Sequence, residues 1–196
     1  MTTPLTAIVY HSGYGHTEVL AKAVERGAAK VGTTALIKIS PEGKIEDAEW
    51  DTLAKADAII FGAPTYMASA SAQFKIFADA SAKPWFGGAW KDKVAGGFTV
   101  SGSMSGDKLS TLQQMSGLAA QHGMIWVSLG LMPPQPKDPS EYHQRDENAL
   151  NRVGSFLGAM GQAENAGPDV TPPAGDQKTG EHYGERIATF AKKLKA

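Results

Sequence analysis

Tyr10-His11-Ser12-Gly13-Tyr14-Gly15-His16-Thr17 follows an apolar run over 5–10 and precedes a stretch in which Val19, Leu20, Ala23, Val24 and Ala28 recur at helical spacing. The fold turns on this octapeptide: a buried strand runs into a glycine- and hydroxyl-rich turn that opens a helix. Such a turn aims backbone N–H groups and the positive end of the helix dipole at one point, where an anion binds. Ser12 and Thr17 add hydroxyl donors. The turn contains no Lys or Arg, which suits one compact phosphate monoester. A nucleoside-triphosphate loop is excluded, because it needs Gly-Lys-Ser/Thr. The dinucleotide pattern GxGxxG begins at Gly13-Tyr14-Gly15, but Glu18 stands where the third glycine belongs.

Outward from this turn, strands and helices alternate. Strands are expected over 5–10, 34–39, 58–62, 94–100 and 124–129, and helices over 17–29, 45–55, 70–81, 109–121 and 180–195. Phe74, Phe77 and Ala78 share the inward face of the third helix, and Tyr183, Ile187 and Phe190 that of the last. Gly96 and Gly97 weaken the fourth strand. Strands apolar along their whole length belong to a parallel sheet with helices on both faces. A single domain over 1–196 is expected. After Gly130 the pattern breaks at Met132-Pro133-Pro134-Gln135-Pro136, and Pro168, Pro172, Pro173 and Gly175 continue the irregular stretch. This excursion, at about 131–179, is too long for an ordinary connection; it is either a surface excursion with no role or a flap or oligomer contact. Phe156, Leu157 and Met160 form an apolar cluster within it, suited to packing between subunits.

Composition narrows the function. The chain has 196 residues, 42% of them hydrophobic, with 19 basic and 20 acidic residues and a net charge of −1. That balance gives no electrostatic footprint for nucleic acid or an anionic membrane surface. With no cysteine, disulfides, thiolate nucleophiles and cysteine-ligated metals are excluded. The histidines lack metal-ligand spacing, and no metal is assigned. No apolar run approaches the roughly 20 residues of a membrane span, and no signal-peptide pattern opens the chain. A cytoplasmic location is the corresponding expectation.

In a doubly wound sheet, ligands bind beyond the carboxyl ends of the strands, where strand order reverses. Three loops leave those ends: 12–17; Pro64-Thr65-Tyr66-Met67-Ala68-Ser69; and Ser101-Gly102-Ser103-Met104-Ser105-Gly106. All are rich in small and hydroxylic residues. A phosphate on the first loop and a flat heteroaromatic ring against the other two make a coherent site for FMN.

The chain resembles the flavodoxin-like FMN proteins, and among them the WrbA-type NAD(P)H:quinone oxidoreductases. The resemblance is carried by Ser12-Gly13-Tyr14-Gly15-His16-Thr17, Ile59-Ile60-Phe61-Gly62-Ala63-Pro64-Thr65, the 74–79 stretch with Trp85 after it, and His122-Gly123-Met124. It runs from about Leu5 to Leu131 and resumes at Tyr183-Gly184-Glu185-Arg186. It implies a five-stranded parallel sheet of order 2-1-3-4-5, FMN, NADH or NADPH as donor, a small quinone as acceptor, and a homo-oligomer, dimer or tetramer. Carried over by position, Ser12, Gly13, Tyr14, Gly15, His16 and Thr17 would hold the phosphate. Pro64, Thr65, Tyr66 and Met67 would border the flavin ring. Val100, Ser101, Gly102, Ser103, Met104 and Ser105 would wrap its polar edge, and Gln121 and His122 would contact it. Tyr14 would also meet the nicotinamide, and Trp85 would form the wall on which substrate stacks.

Departures from the family pattern leave FMN binding in place and bear on nicotinamide preference and quinone activity. Tyr66 and Met67-Ala68-Ser69 replace the family's Arg and Phe-Gly-Asn, Ser103-Met104-Ser105 replaces Thr-Gly-Gly, and Gln121 replaces the first histidine of a His-His pair. The connection between the second and third strands is also shorter than in longer members. Hydride would pass from nicotinamide to flavin and then to a quinone entering the same pocket, which implies ping-pong kinetics. His122 is the one candidate for a proton donor; His11 and His16 shape the phosphate loop. The rival readings are an electron-carrier flavodoxin, an azo- or nitro-aromatic reductase, and an FMN-binding stress-response scaffold. Carriers tend to be strongly acidic, which this chain is not.

Overall fold

A computed structural model describes residues 3–135 and 146–195. The end of the Pro-rich run, at Pro136, and part of the excursion lie outside the described residues. The sheet is parallel, in the order β2 (Thr33–Lys38), β1 (Leu5–Tyr10), β3 (Ala58–Tyr66), β5 (Val94–Ser101), β6 (Ile125–Trp126). This is the expected flavodoxin-like order. A short β4 (Ser69–Ala70) adds to the end of β3 as an antiparallel hairpin.

The central strands are buried on both faces, and alternate residues enter opposite cores. Ala7 and Val9 join Phe61, Phe74, Phe77, Leu112 and Met115 under α2 (Asp47–Lys55), α3 (Ala72–Ala80) and α5 (Lys108–Gln121). Ile8 and Tyr10 join Leu20, Val24, Tyr183 and Ile187 under α1 (His16–Ala29) and α6 (Ala174–Leu194). The last two helices touch backbone to backbone: a Cβ on Gly27 would fall on the Glu181 carbonyl, and one on Gly184 on the Val24 carbonyl. Glycine is required there by close approach. The helix expected from residue 45 begins at Asp47, where a reciprocal capping box between Glu46 and Glu49 sets its start. A short α4 (Ala82–Phe86) follows α3.

The fifth strand departs from expectation. Only Ile125–Trp126 of the 124–129 run pairs with β5, opposite Val94 and Ala95. Further along β5, from Phe98 to Ser101, its partner is β7 (Ala159–Gln162). The excursion therefore leaves the sheet halfway along its fifth position and returns to complete it. Val127 and Leu129 are buried against the α6 side of the core; the Val127 N–H still donates to the Ala95 carbonyl of β5, while the Leu129 N–H turns to the Phe156 carbonyl. This corrects the reading of Phe156, Leu157 and Met160 as one cluster between subunits. Leu157 and Met160 pack on the chain's own core, and only Phe156, 57% exposed, faces outward. The last helix starts at Ala174, earlier than the expected 180.

Candidate functional site

The loops after β1, β3 and β5 meet at the carboxyl edge of the sheet. They enclose a groove of about 180 Å³ lined by Tyr14, His16, Thr17, Pro64, Thr65, Tyr66, Val100, Ser101 and Gly102, with Ala163 and Glu164. Nine of the residues singled out in sequence thus line one space, and Ser12, Gly13 and Gly15 belong to the same first loop.

That loop is built as an anion cradle. Gly15 has φ +92°, the left-handed conformation that glycine adopts without strain, and His16 opens α1 directly after it. The Ser12 hydroxyl accepts the Glu18 N–H at 3.2 Å. Tyr66 reaches across from the second loop, where its hydroxyl meets the backbone N–H of Gly13. Among the described residues, no protein acceptor takes the N–H of Tyr14, Gly15, His16 or Thr17. These free donors at the start of a 14-residue helix, with the buried Thr17 hydroxyl beside them, fit a phosphate monoester.

The histidines of the loop are structural. His11 is buried, with Nδ1 2.8 Å from the Ser71 hydroxyl, and His16 Nε2 lies 2.8 Å from the Ala166 carbonyl oxygen. Burial, aided by Lys38, holds the His11 pKa below its ordinary value, so the ring stays neutral. The second loop is the β3–β4 hairpin. Met67 and Ala68 both have positive φ, at 47° and 63°, as a two-residue hairpin turn demands. Met67 is 98% exposed at its tip. Thr65 spends its hydroxyl in a buried cluster, 2.8 Å from both Thr99 and Thr111, which leaves its backbone for a ligand. Tyr14, 76% exposed, stands edge-on to Tyr66 with ring centroids 6.0 Å apart. The opposite wall, Val100 to Gly102 and Ala163-Glu164, carries no aromatic ring. Ser103, Met104 and Ser105 continue the third loop outside the lining of the groove.

Three expected site residues lie elsewhere. Because α5 runs antiparallel to the strands, its end returns to the amino edge of the sheet, where the Gly123 carbonyl accepts the Asp92 N–H just before β5. Gln121 and His122 therefore sit at the far edge, about the length of an eight-residue strand from the groove. His122 is buried there, stacked on Trp90 at 4.2 Å with Nε2 2.9 Å from the Ser81 hydroxyl. Burial alone depresses its pKa. Trp85, 38% exposed, donates its Nε1–H to the Gln121 carbonyl at 2.8 Å at the same edge. Within one chain neither reaches the groove.

Sequence reasoning missed two elements of the site. Ala163 and Glu164 form a wall because they continue the β7 pairing: their N–H groups donate to Ser101 and Gly102 carbonyls at 2.8 and 2.9 Å. Lys108, the first residue of α5, is 0% exposed and turns back beneath the third loop. Among the described residues, no group of His, Asp or Glu is placed to hold a metal ion, and no helix is long and apolar enough to cross a membrane.

A doubly wound parallel sheet with a glycine- and hydroxyl-rich turn and a groove at its switch point defines a flavodoxin-like protein. The chain belongs to the NADPH-dependent FMN reductase family, whose model matches residues 12–133. It is 44% identical over 189 residues to the flavodoxin FldP of Pseudomonas aeruginosa, covering 96% of this chain and 97% of that protein. The crystal structure of a WrbA-like flavodoxin from Agrobacterium tumefaciens superposes with a TM-score of 0.76 at 43% identity, over 97% of this chain and 99% of the other. A flavodoxin from the domain Archaea shares the fold, with a TM-score of 0.62 at 19% identity over 96% and 99% of the two chains.

Proposed function

We propose that the protein is an FMN-dependent NAD(P)H:quinone oxidoreductase. The observation that carries this reading is the asymmetry of the groove: tyrosines on one side, and a wall of Val100 to Gly102 with Ala163 and Glu164 that has no aromatic cover. A ring held against that wall keeps a face open to a second flat molecule. Membership in a reductase family supports the choice of a nicotinamide donor.

The chemistry FMN supplies when bound is hydride acceptance from a nicotinamide and hydride release to a quinone. The chain's part is binding and orientation. The free N–H groups of 14–17 and the hydroxyls of Ser12 and Thr17 hold the phosphate. Pro64 to Tyr66 and Val100 to Gly102 present backbone groups to the ring. Tyr14 and Tyr66 offer aromatic surface to flat substrates, worth about 0.5–1.5 kcal/mol beyond area burial. No side chain of the groove serves as a proton donor in this reading, since His122 is buried at the other edge. Trp85 and its neighbour Phe86 form an exposed aromatic pair, which meets a flavin only when a second copy brings it there. A homo-oligomer is therefore part of the proposal, and light scattering that gives only the 20.7 kDa monomer removes Trp85 from the site.

The experiment is anaerobic mixing of FMN-loaded protein with NADH or NADPH, followed by a quinone. Rapid bleaching of the flavin and parallel-line kinetics are expected. A flavin that stays oxidised for minutes in excess of both donors contradicts the enzyme reading. The second reading is an electron carrier. It is favoured by the 44% identity to a protein named flavodoxin across nearly its whole length. A carrier would be reduced by a protein partner and not by nicotinamides, so the same mixing experiment separates the two.

A further inference from the structure

Lys108 is placed where nothing local favours a charged side chain. It is fully buried, and it stands at the first position of α5, where the helix dipole opposes a cation. Its ammonium donates to the Ser101 hydroxyl at 2.7 Å and to the Ser103 carbonyl at 2.6 Å. Both bonds go to the loop that supplies Ser101 and Gly102 to the groove. Behind it lies a second buried cation. Arg152 pairs with Asp176 and donates to Asp176 and Gln162, each at 3.1 Å, while the Gln162 N–H donates to Asp176 at 2.8 Å. Gln162 is the β7 residue opposite Ser101. Two buried cations and one buried carboxylate thus stand under one wall of the groove, one hydrogen bond behind its lining, with the exposed Glu164 on the wall itself.

We propose that Lys108 is a positioning residue of the flavin site: it fixes the 101–107 loop and sets a positive charge behind the wall that meets the polar edge of the flavin. Reduced FMN carries a negative charge on that edge and oxidised FMN does not, so a fixed cation there binds the reduced form preferentially and raises the midpoint potential. Burial pushes the lysine pKa down to about 8, opposed by Asp176 and reinforced by Arg152, so the ammonium still holds its proton at neutral pH. A residue needed only to pin the loop would hold both redox forms alike.

The inference rests on the FMN reading, and the experiment separates the two. The affinity of oxidised FMN is measured by flavin fluorescence, and the two-electron midpoint potential of the bound flavin by equilibration with a reference dye. Both are compared in the wild type, Lys108→Met and Lys108→Arg. Absence of FMN binding by the wild type overturns the FMN reading itself. With FMN bound, Lys108→Met should lower the affinity for reduced relative to oxidised FMN about tenfold, a fall of about 30 mV. Lys108→Arg should restore most of it. Equal weakening of both forms with an unmoved potential overturns the proposal and leaves a loop anchor. A fall as large in Lys108→Arg as in Lys108→Met also overturns it, because the charge is then not what matters.

If Lys108→Met does not hold FMN, the wild-type complex decides. The charged groups facing Lys108 are Asp176 and Arg152, with Asp107 before it in sequence and Glu164 at the rim of the groove. Negative charge on the reduced flavin draws the lysine pKa up, so reduction above pH 8 takes up an extra proton on Lys108. The potential should then fall more steeply with pH above 8 than below. A single slope through that range overturns the proposal.

Discussion

The two edges of the sheet use the same residue types to opposite ends. At the amino edge, polar groups bond within the fold or, like His122 Nδ1 and Trp90 Nε1, are buried without a partner among the described residues. His122 is held by Ser81 and Trp90, Trp85 by the Gln121 carbonyl, and Lys93 donates to the carbonyls of Leu53, Ala54 and Ala56 at the end of α2. At the carboxyl edge, α1 begins at an uncapped turn and its first N–H groups open into a groove. Helix polarity makes the difference. Helices that return the chain antiparallel to parallel strands direct their N-termini, rich in free donors, to the carboxyl edge and their C-termini to the other. A histidine or tryptophan must therefore be read with the edge it occupies.

The contrast is broken most forcefully by disarming the cradle. Ser12→Ala with Thr17→Ala should weaken FMN binding by about 3–6 kcal/mol, at about 1.5–3 for each hydrogen bond to the charged phosphate. Unchanged affinity in a fluorescence titration would move the phosphate elsewhere. The buried ion pair of the same edge comes next. Asp176→Ala leaves Arg152 and Lys108 without their carboxylate, and should cost about 3–5 kcal/mol of stability in urea unfolding. A loss under 1 kcal/mol, roughly the worth of a surface pair, would mean the cluster is hydrated.

The amino edge should answer differently. His122→Ala removes a buried hydrogen bond and a stacked ring, and should lower stability by about 1–3 kcal/mol while leaving FMN affinity as it was. Weaker FMN binding at unchanged fold would return His122 to the site.

The smallest effect is on pH dependence. Burial holds the pKa values of His11, His122 and His182 below the ordinary 6.5. The unfolded chain then binds these protons first, so stability is complete above pH 6.5 and falls as the pH drops below it. His122→Gln should flatten part of that acid slope, and an unaltered slope would take His122 out of it.

Much of this was legible in residues alone. The apolar runs of β1 and β3 and the Gly/Ser/Thr turn between β1 and α1 specify a parallel sheet and a turn with free backbone donors at its carboxyl edge by local chemistry. The division of the fifth strand was not legible. Met124 to Leu129 looks like one strand, yet Val127 and Leu129 gain their burial by packing under α6. Ala159-Met160-Gly161-Gln162 has little strand propensity and is held by tertiary pairing with β5. Lys108 was invisible for a similar reason, since a lysine at a helix start reads as solvated. The position of His122 and Trp85 at the amino edge had a readable signal. A residue at the end of the helix that follows a parallel strand belongs to the amino edge, whatever motif it sits in.

The central claim is that the 12–17 loop is a phosphate site at the carboxyl edge. Its most direct test is titration of the apoprotein with FMN and with riboflavin, which differ only by the phosphate. FMN should bind at least about a hundredfold more tightly, since loss of two charge-assisted hydrogen bonds costs about 3 kcal/mol or more. Equal affinities for the two flavins, or no binding of either, would contradict the account.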